Sequence, residues 1–181
     1  MKGIDNLYAI VEPLSSQPEC LTCDLCERNV GLVYLINDES SRIKKDGHQV
    51  ARTSEGVEYL SRSQSKKSAT WCSCFDTAKN QCSIYPIRPL CCRLYPLDLM
   101  KIDGELWWIV HAECPIAERF DKERKLDALS SITIGLETVL SPEQLRGWRK
   151  IDDTSQTTEA FIGDQYRIHK LRRFGSSVIF P

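Results

Sequence analysis

Apolar and polar positions alternate along the chain in a way that changes character several times. Val30-Gly-Leu-Val-Tyr-Leu-Ile36 is a β-branched apolar run and predicts a strand. Asn37 to Gln49 is polar and turn-rich, with a return strand expected around it. Thr53 to Thr70 carries serines, lysines and arginines, which predict an exposed connection with a short helix near Val57–Leu60. From Trp71 to Cys92, five cysteines with Pro86 and Pro89, and Pro96 just beyond, break any long regular element. That stretch is expected to be irregular and held by something other than backbone hydrogen bonds. Leu97–Ile102 and Glu105–Val110 flank Asp103-Gly104, a dipeptide that favours a tight hairpin with positive φ angles. After Cys114 the period becomes helical. Pro115 suits a first helical position, and Leu126, Leu129, Ile132, Leu136 and Val139 recur at helical spacing. Ser141-Pro-Glu-Gln144 offers a capping box for a further short helix with Leu145 and Trp148, and Ile151 to Glu159 reads as a loop.

These elements predict an α+β fold: a small antiparallel hairpin region and an irregular metal-bound cysteine core, with C-terminal helices packed on it. The 181 residues, 41% hydrophobic and 27% charged, suit a single domain spanning 1–181. Within it the cysteine core covers about 20–114, the helical part about 115–150 and a basic tail about 161–181. The tail holds Arg167, His169, Lys170, Arg172 and Arg173, and a solvated helix face is the commoner reason for such a run. Lysines and arginines number 24 against 25 acidic residues, so no global field draws the chain to nucleic acid or membrane. No nucleic-acid module accompanies the basic tail. No two glycines share one short loop, which excludes a P-loop or a Gly-rich dinucleotide turn. No apolar run approaches a membrane span. Met1 to Pro18 has one lysine and a short apolar stretch, Leu7 to Val11, less than a signal peptide needs, so a cytoplasmic location is expected.

Cysteine changes the picture. There are nine, an odd number, and they are clustered. In a reducing cytosol clustered thiols point to metal ligands or redox centres rather than disulfides. Cys20-Leu-Thr-Cys23-Asp-Leu-Cys26 puts three thiolates in one short loop, among Asp24, Glu27 and Arg28, flanks unlike a core. Zinc sites usually draw on two separate Cys pairs. Three consecutive ligands with a fourth from far away resemble the wrapping of a cubane iron–sulfur cluster. On spacing alone the remote ligand comes from Cys72, Cys82, Cys92 or Cys114. No Ser-His-Asp arrangement, His-Glu-x-x-His helix or carboxylate pair is recognisable, and no single cysteine has a base partner in sequence.

The stretch Cys82-Ser-Ile-Tyr-Pro-Ile-Arg-Pro-Leu-Cys-Cys-Arg-Leu-Tyr-Pro96 resembles the signature of the YkgJ-like cysteine-cluster family, named for zinc or iron chelation. The family pattern opens with Cys-x2-Cys-x2-Cys-Cys, continues through a Cys-x-Phe-Leu-type segment and then Cys-x-Ile-Tyr-x-x-Arg-Pro-x-x-Cys-Arg-x-Phe-Pro. A last cysteine follows a hairpin. The resemblance spans about Cys20 to Cys114 and implies Cys20, Cys23, Cys26, Cys72, Cys82, Cys92 and Cys114 as metal ligands. Three departures stand out: Glu27 replaces the adjacent fourth cysteine of the opening, Cys74 stands where phenylalanine is usual, and Cys91 is additional. A related segment occurs in flagellin lysine N-methylases, but no S-adenosylmethionine motif is recognisable here.

Arg88 and Arg93 flank Cys92 and are the leading candidates for groups around a bound cofactor. Guanidinium groups beside a thiolate-held cluster would raise its potential and orient an anion, or else satisfy loop carbonyls. Tyr85 and Tyr95 are expected to pack around the site. One of Trp107 and Trp108 is expected to face the core while the other covers the cluster, and His111 is a further candidate ligand. The expected function is an iron–sulfur protein, with a [4Fe-4S] cluster, that transfers electrons or assists modification of a peptide or metabolite. A protein electron donor or acceptor is the implied partner. The alternatives are a zinc-stapled interaction module and a metal carrier, because soft thiolates suit all these metals.

Overall fold

The Asp103-Gly104 hairpin forms at the expected place, with φ of 54° at Asp103 and 80° at Gly104. In this computed structural model the described residues are 2–21, 23, 26, 33–36, 38–60, 62–64, 70–123, 125–140, 144 and 168–175. Helices alternate with small antiparallel sheets, so the fold class is α+β. The chain divides into two compact units, one of residues 1–11 and 94–181, the other of residues 12–93.

The first unit is built on a three-stranded sheet. Strands β8 (Leu97–Ile102) and β9 (Glu105–His111) pair in register from Leu97 with Val110 to Ile102 with Glu105, and β10 (Ile168–Arg173) pairs on the other side of β9. Helices α4 (Pro115–Lys122) and α5 (Leu126–Val139) follow the hairpin. Pro115 occupies the first turn, as its fixed φ and missing N–H allow. Leu129, Ile132 and Leu136 are buried along α5, as the helical period predicts, whereas Val139 is exposed. The amino-terminal helix α1 (Lys2–Ser15), absent from the sequence expectations, buries Ile4, Leu7 and Val11 at helical spacing. Its Ile10 reaches α5 so closely that a Cβ on Gly135 would lie 3.3 Å from Ile10 Cγ2.

The basic tail is corrected by the structure. The described part of it is a sheet strand, not a helix face, and Arg172 is 1% exposed. Its Nε donates to Thr133 Oγ1 at 2.6 Å and its Nη2 pairs with Glu137 Oε1 at 2.5 Å. Trp108 Nε1 donates to the same carboxylate oxygen at 2.6 Å. The buried charge is therefore paired and hydrogen-bonded, which is what burial requires. Both tryptophans are buried, with Lys170 and Arg173 over the ring of Trp107. The expected capping box at Ser141, the helix with Leu145 and Trp148, and the loop over Ile151–Glu159 lie outside the described residues, apart from Gln144.

The second unit holds a three-stranded sheet in the order β1 (Val33–Tyr34), β3 (Glu58–Leu60), β2 (Val50–Arg52), all antiparallel. The Val57–Leu60 segment is thus a strand and not a helix, because Tyr59 and Leu60 find partners on two sides. The polar stretch around Ser40 is helix α2 (Glu39–Lys45), which buries only Ile43 among its apolar residues. Two small ladders follow: β4 (Arg62–Gln64) with β5 (Thr70–Cys72), and β6 (Phe75–Asp76) with β7 (Gln81–Cys82). The cysteine-rich stretch is therefore partly tied by backbone hydrogen bonds, contrary to expectation. Its second hairpin closes through the Asp76 carboxylate, whose Oδ1 accepts from the N–H groups of Ala78 and Lys79. A 3₁₀ turn at Tyr85–Ile87 then leads into the short helix α3 (Leu90–Leu94).

Candidate metal centre

All nine cysteines are free thiols. Cys20 lies in a 3₁₀ turn, Pro18–Leu21, and the Cys23 N–H donates to Glu19 O. Cys20, Cys23 and Cys26 are half-buried. Cys72 closes β5, Cys82 closes β7, and Cys91 and Cys92 sit on α3. In the second unit Cys72 and Cys74 belong to one buried apolar cluster with Leu35, Ile43, Leu60 and Ile84, and Cys82, Cys91 and Cys92 pack against it. Five thiols thus share one small core. Cys114 belongs to the first unit, buried immediately ahead of α4.

Arg88 is placed beside the first cysteine group. It is 5% exposed and donates from Nη2 to Ser15 O at 2.8 Å and from Nε to Tyr85 O at 3.2 Å. Its guanidinium carbon lies 3.7 Å from the centre of the Tyr85 ring, whose hydroxyl also donates to Ser15 O. Burial pushes the Cys20 thiol above its usual pKa, and the charge and hydrogen bond of Arg88 oppose that rise. A thiolate at Cys20 therefore has its counter-charge already in place. Arg93 does different work: its Nε donates to Arg88 O and its Nη2 to Pro86 O, both at 2.8 Å, fixing the loop ahead of α3. Beside Cys82 an open cleft of about 310 Å³ is lined by Leu21, Asp76, Lys79 and Tyr85 among others, and Leu21 is 56% exposed.

Glu39 was not singled out by the sequence, yet it places α3. Its carboxylate is 2% exposed, accepting from Leu90 N–H at 2.7 Å and Ile36 N–H at 2.9 Å. The first of these bonds holds the start of the helix that carries Cys91 and Cys92. No local signal could reveal it, since the two residues are 51 positions apart. His111 is stacked on Tyr95 with ring centres 5.2 Å apart, and its Nε2 lies 3.4 Å from Asp98 Oδ2. Burial disfavours its charged form, but Asp98 and Glu113 outweigh this and hold its pKa above the ordinary value.

Among the described residues no three Cys, His, Asp or Glu side chains already converge closely enough to hold an ion. By donor type the residues fit a thiophilic metal: clustered free thiols, with an arginine on one of them. The family description CxxCxxCC, "Putative zinc- or iron-chelating domain", matches residues 19–119. The chain belongs to this family. Metal chelation by the CxxCxxCC domain is accordingly its general property, with the choice between zinc and iron left open by the description. Neither a curated protein nor a solved structure gives a significant match to the chain. Among the described residues no helix is long and apolar enough to cross a membrane.

Proposed function

We propose that this CxxCxxCC protein is an iron–sulfur protein of the reducing cytosol that exchanges electrons with a protein partner. Cys20, Cys23 and Cys26 and one remote thiolate from Cys72, Cys82, Cys92 or Cys114 would hold a [4Fe-4S] cluster. The observation that carries this reading is three thiols within seven residues, with the charge of the buried Arg88 opposing the effect of burial on the first of them. When bound, such a cluster supplies one-electron transfer, or an open iron where only three thiolates hold it. The residues of this chain supply the ligands, the counter-charge at Arg88 and a partly apolar enclosure that raises the effect of that charge. Arg93 keeps the Arg88 loop in place.

The test is iron, acid-labile sulfide and zinc content of the full chain purified without oxygen, with its absorption spectrum. About four iron and four sulfide per chain in brown protein is the expected result for one cubane. Colourless protein with firmly held zinc and no sulfide would overturn the cluster and leave a zinc-stapled interaction module. Loosely held, exchangeable metal would overturn it in favour of a carrier.

A further inference from the structure

Outside the seven cysteines implied by the family pattern, Cys74 and His48 form a second pair of donors. Cys74 Sγ stands 3.6 Å from His48 Nδ1, and His48 Nε2 stands 3.4 Å from Asp46 Oδ2. The residues come from well-separated positions. His48 and Asp46 follow α2, in a turn where the His48 N–H donates to Ile43 O. Cys74 lies between β5 and β6, its carbonyl accepting from both the N–H and the hydroxyl of Ser83, next to Cys82.

Two chemistries make use of a thiol beside an imidazole with a carboxylate behind it: nucleophilic attack and metal ligation. Burial separates them. Cys74 is 1% exposed, within an apolar cluster, and a nucleophile there has no access to a substrate. A metal ligand needs none. A tetrahedral ion with bonds of about 2.3 Å to sulfur and about 2.0–2.1 Å to nitrogen holds those two donors about 3.6 Å apart. The two side chains share a hydrogen bond of that length, so an ion takes the place of the shared proton with little movement of either residue. Ligating histidines commonly direct their other ring nitrogen at a carboxylate, which fixes the tautomer, and Asp46 occupies that position.

We propose that the Cys74 thiolate and His48 Nδ1 bind one divalent thiophilic cation, with Asp46 orienting the imidazole. Binding releases the Cys74 proton to solvent and changes no oxidation state. No third donor converges on this pair among the described residues, so the ion would have to draw its remaining ligands from Cys72, Cys82, Cys91 or Cys92, the thiols on the same cluster. This rests on the metal-chelating reading above and extends it to a mixed sulfur–nitrogen site.

The experiment is Co²⁺ titration of the reduced, metal-free full chain, followed by visible absorption and bound metal per chain. His48→Gln and Cys74→Ser are each expected to weaken one Co²⁺ site at least tenfold and to shift its visible bands. Asp46→Asn should weaken it less and leave the bands in place. Wild-type chain that binds Co²⁺, with His48→Gln and Cys74→Ser unchanged in affinity, stoichiometry and spectrum, would overturn this site and leave the chelating reading intact. Wild-type chain that binds no Co²⁺, Zn²⁺ or iron would overturn both. Should a variant not fold, ¹⁵N spectra of the wild-type histidine rings with Zn²⁺ decide: coordination is expected to shift His48 Nδ1 while Nε2 keeps its proton. A His48 ring indifferent to Zn²⁺ overturns the site.

Discussion

Glu39 shows how a single residue can organise the cysteine unit. It is buried, and its carboxylate takes hydrogen bonds from two backbone N–H groups, at Ile36 and Leu90. Glu39→Ala strands both donors away from water and is expected to cost about 2–4 kcal/mol in urea unfolding. A loss under about 0.5 kcal/mol would mean that water replaces the carboxylate at both amides. Glu58 carries the opposite lesson for exposed pairs. Its hydrogen bonds to Lys44 at 2.8 Å and to Arg52 at 3.1 Å lower its pKa to about 2. The folded value lies below the unfolded one, so the contribution is complete above about pH 4.5 and is lost as pH falls toward about 2. Because Lys44 and Arg52 stand largely in solvent, that contribution is about 1 kcal/mol. Melting temperatures of the wild type and Glu58→Gln should differ at pH 6 and converge near pH 2; a constant difference would place the effect in packing.

At the scale of elements, local chemistry and remote partners divide the work. The Asp103-Gly104 turn and the α5 period act within a few residues, and both formed where the sequence predicts them. The close approach of α1 to α5 depends on Gly135, where no side chain keeps Ile10 away. Gly135→Leu therefore gains helix propensity yet is expected to destabilise by about 1–3 kcal/mol through overpacking against Ile10. Denaturant unfolding checks it, and a stabilised variant would mean that α1 shifts without penalty. Strand β10 shows the reverse dependence. Its basic residues read locally as a solvated face, but β9 offers a free edge, and Glu137 with Thr133 supplies the partners that let Arg172 be buried.

On the scale of the whole molecule, the free energy of metal binding is expected to be part of the free energy of folding, because clustered thiolates repel one another until a cation joins them. Cys23→Ser and Cys92→Ser should each lower bound metal and the melting temperature of metal-loaded protein. Full metal content with unchanged melting in both would remove these residues from the ligand set. The sequence by itself determined the hairpin, the α4–α5 helical period and the metal-chelating character, because each is written in neighbouring residues: a turn dipeptide, a 3.6-residue period, a thiol spacing. It also pointed to Arg88, although only the folded loop turned that guanidinium onto Cys20. The tertiary structure alone decided that Tyr59 lies in a central strand, that Glu39 holds the helix of Cys91 and Cys92, and that His48 meets Cys74. The last two pairings join residues 51 and 26 positions apart, a separation across which no local pattern carries information. Only burial and hydrogen-bond satisfaction in the folded chain select them.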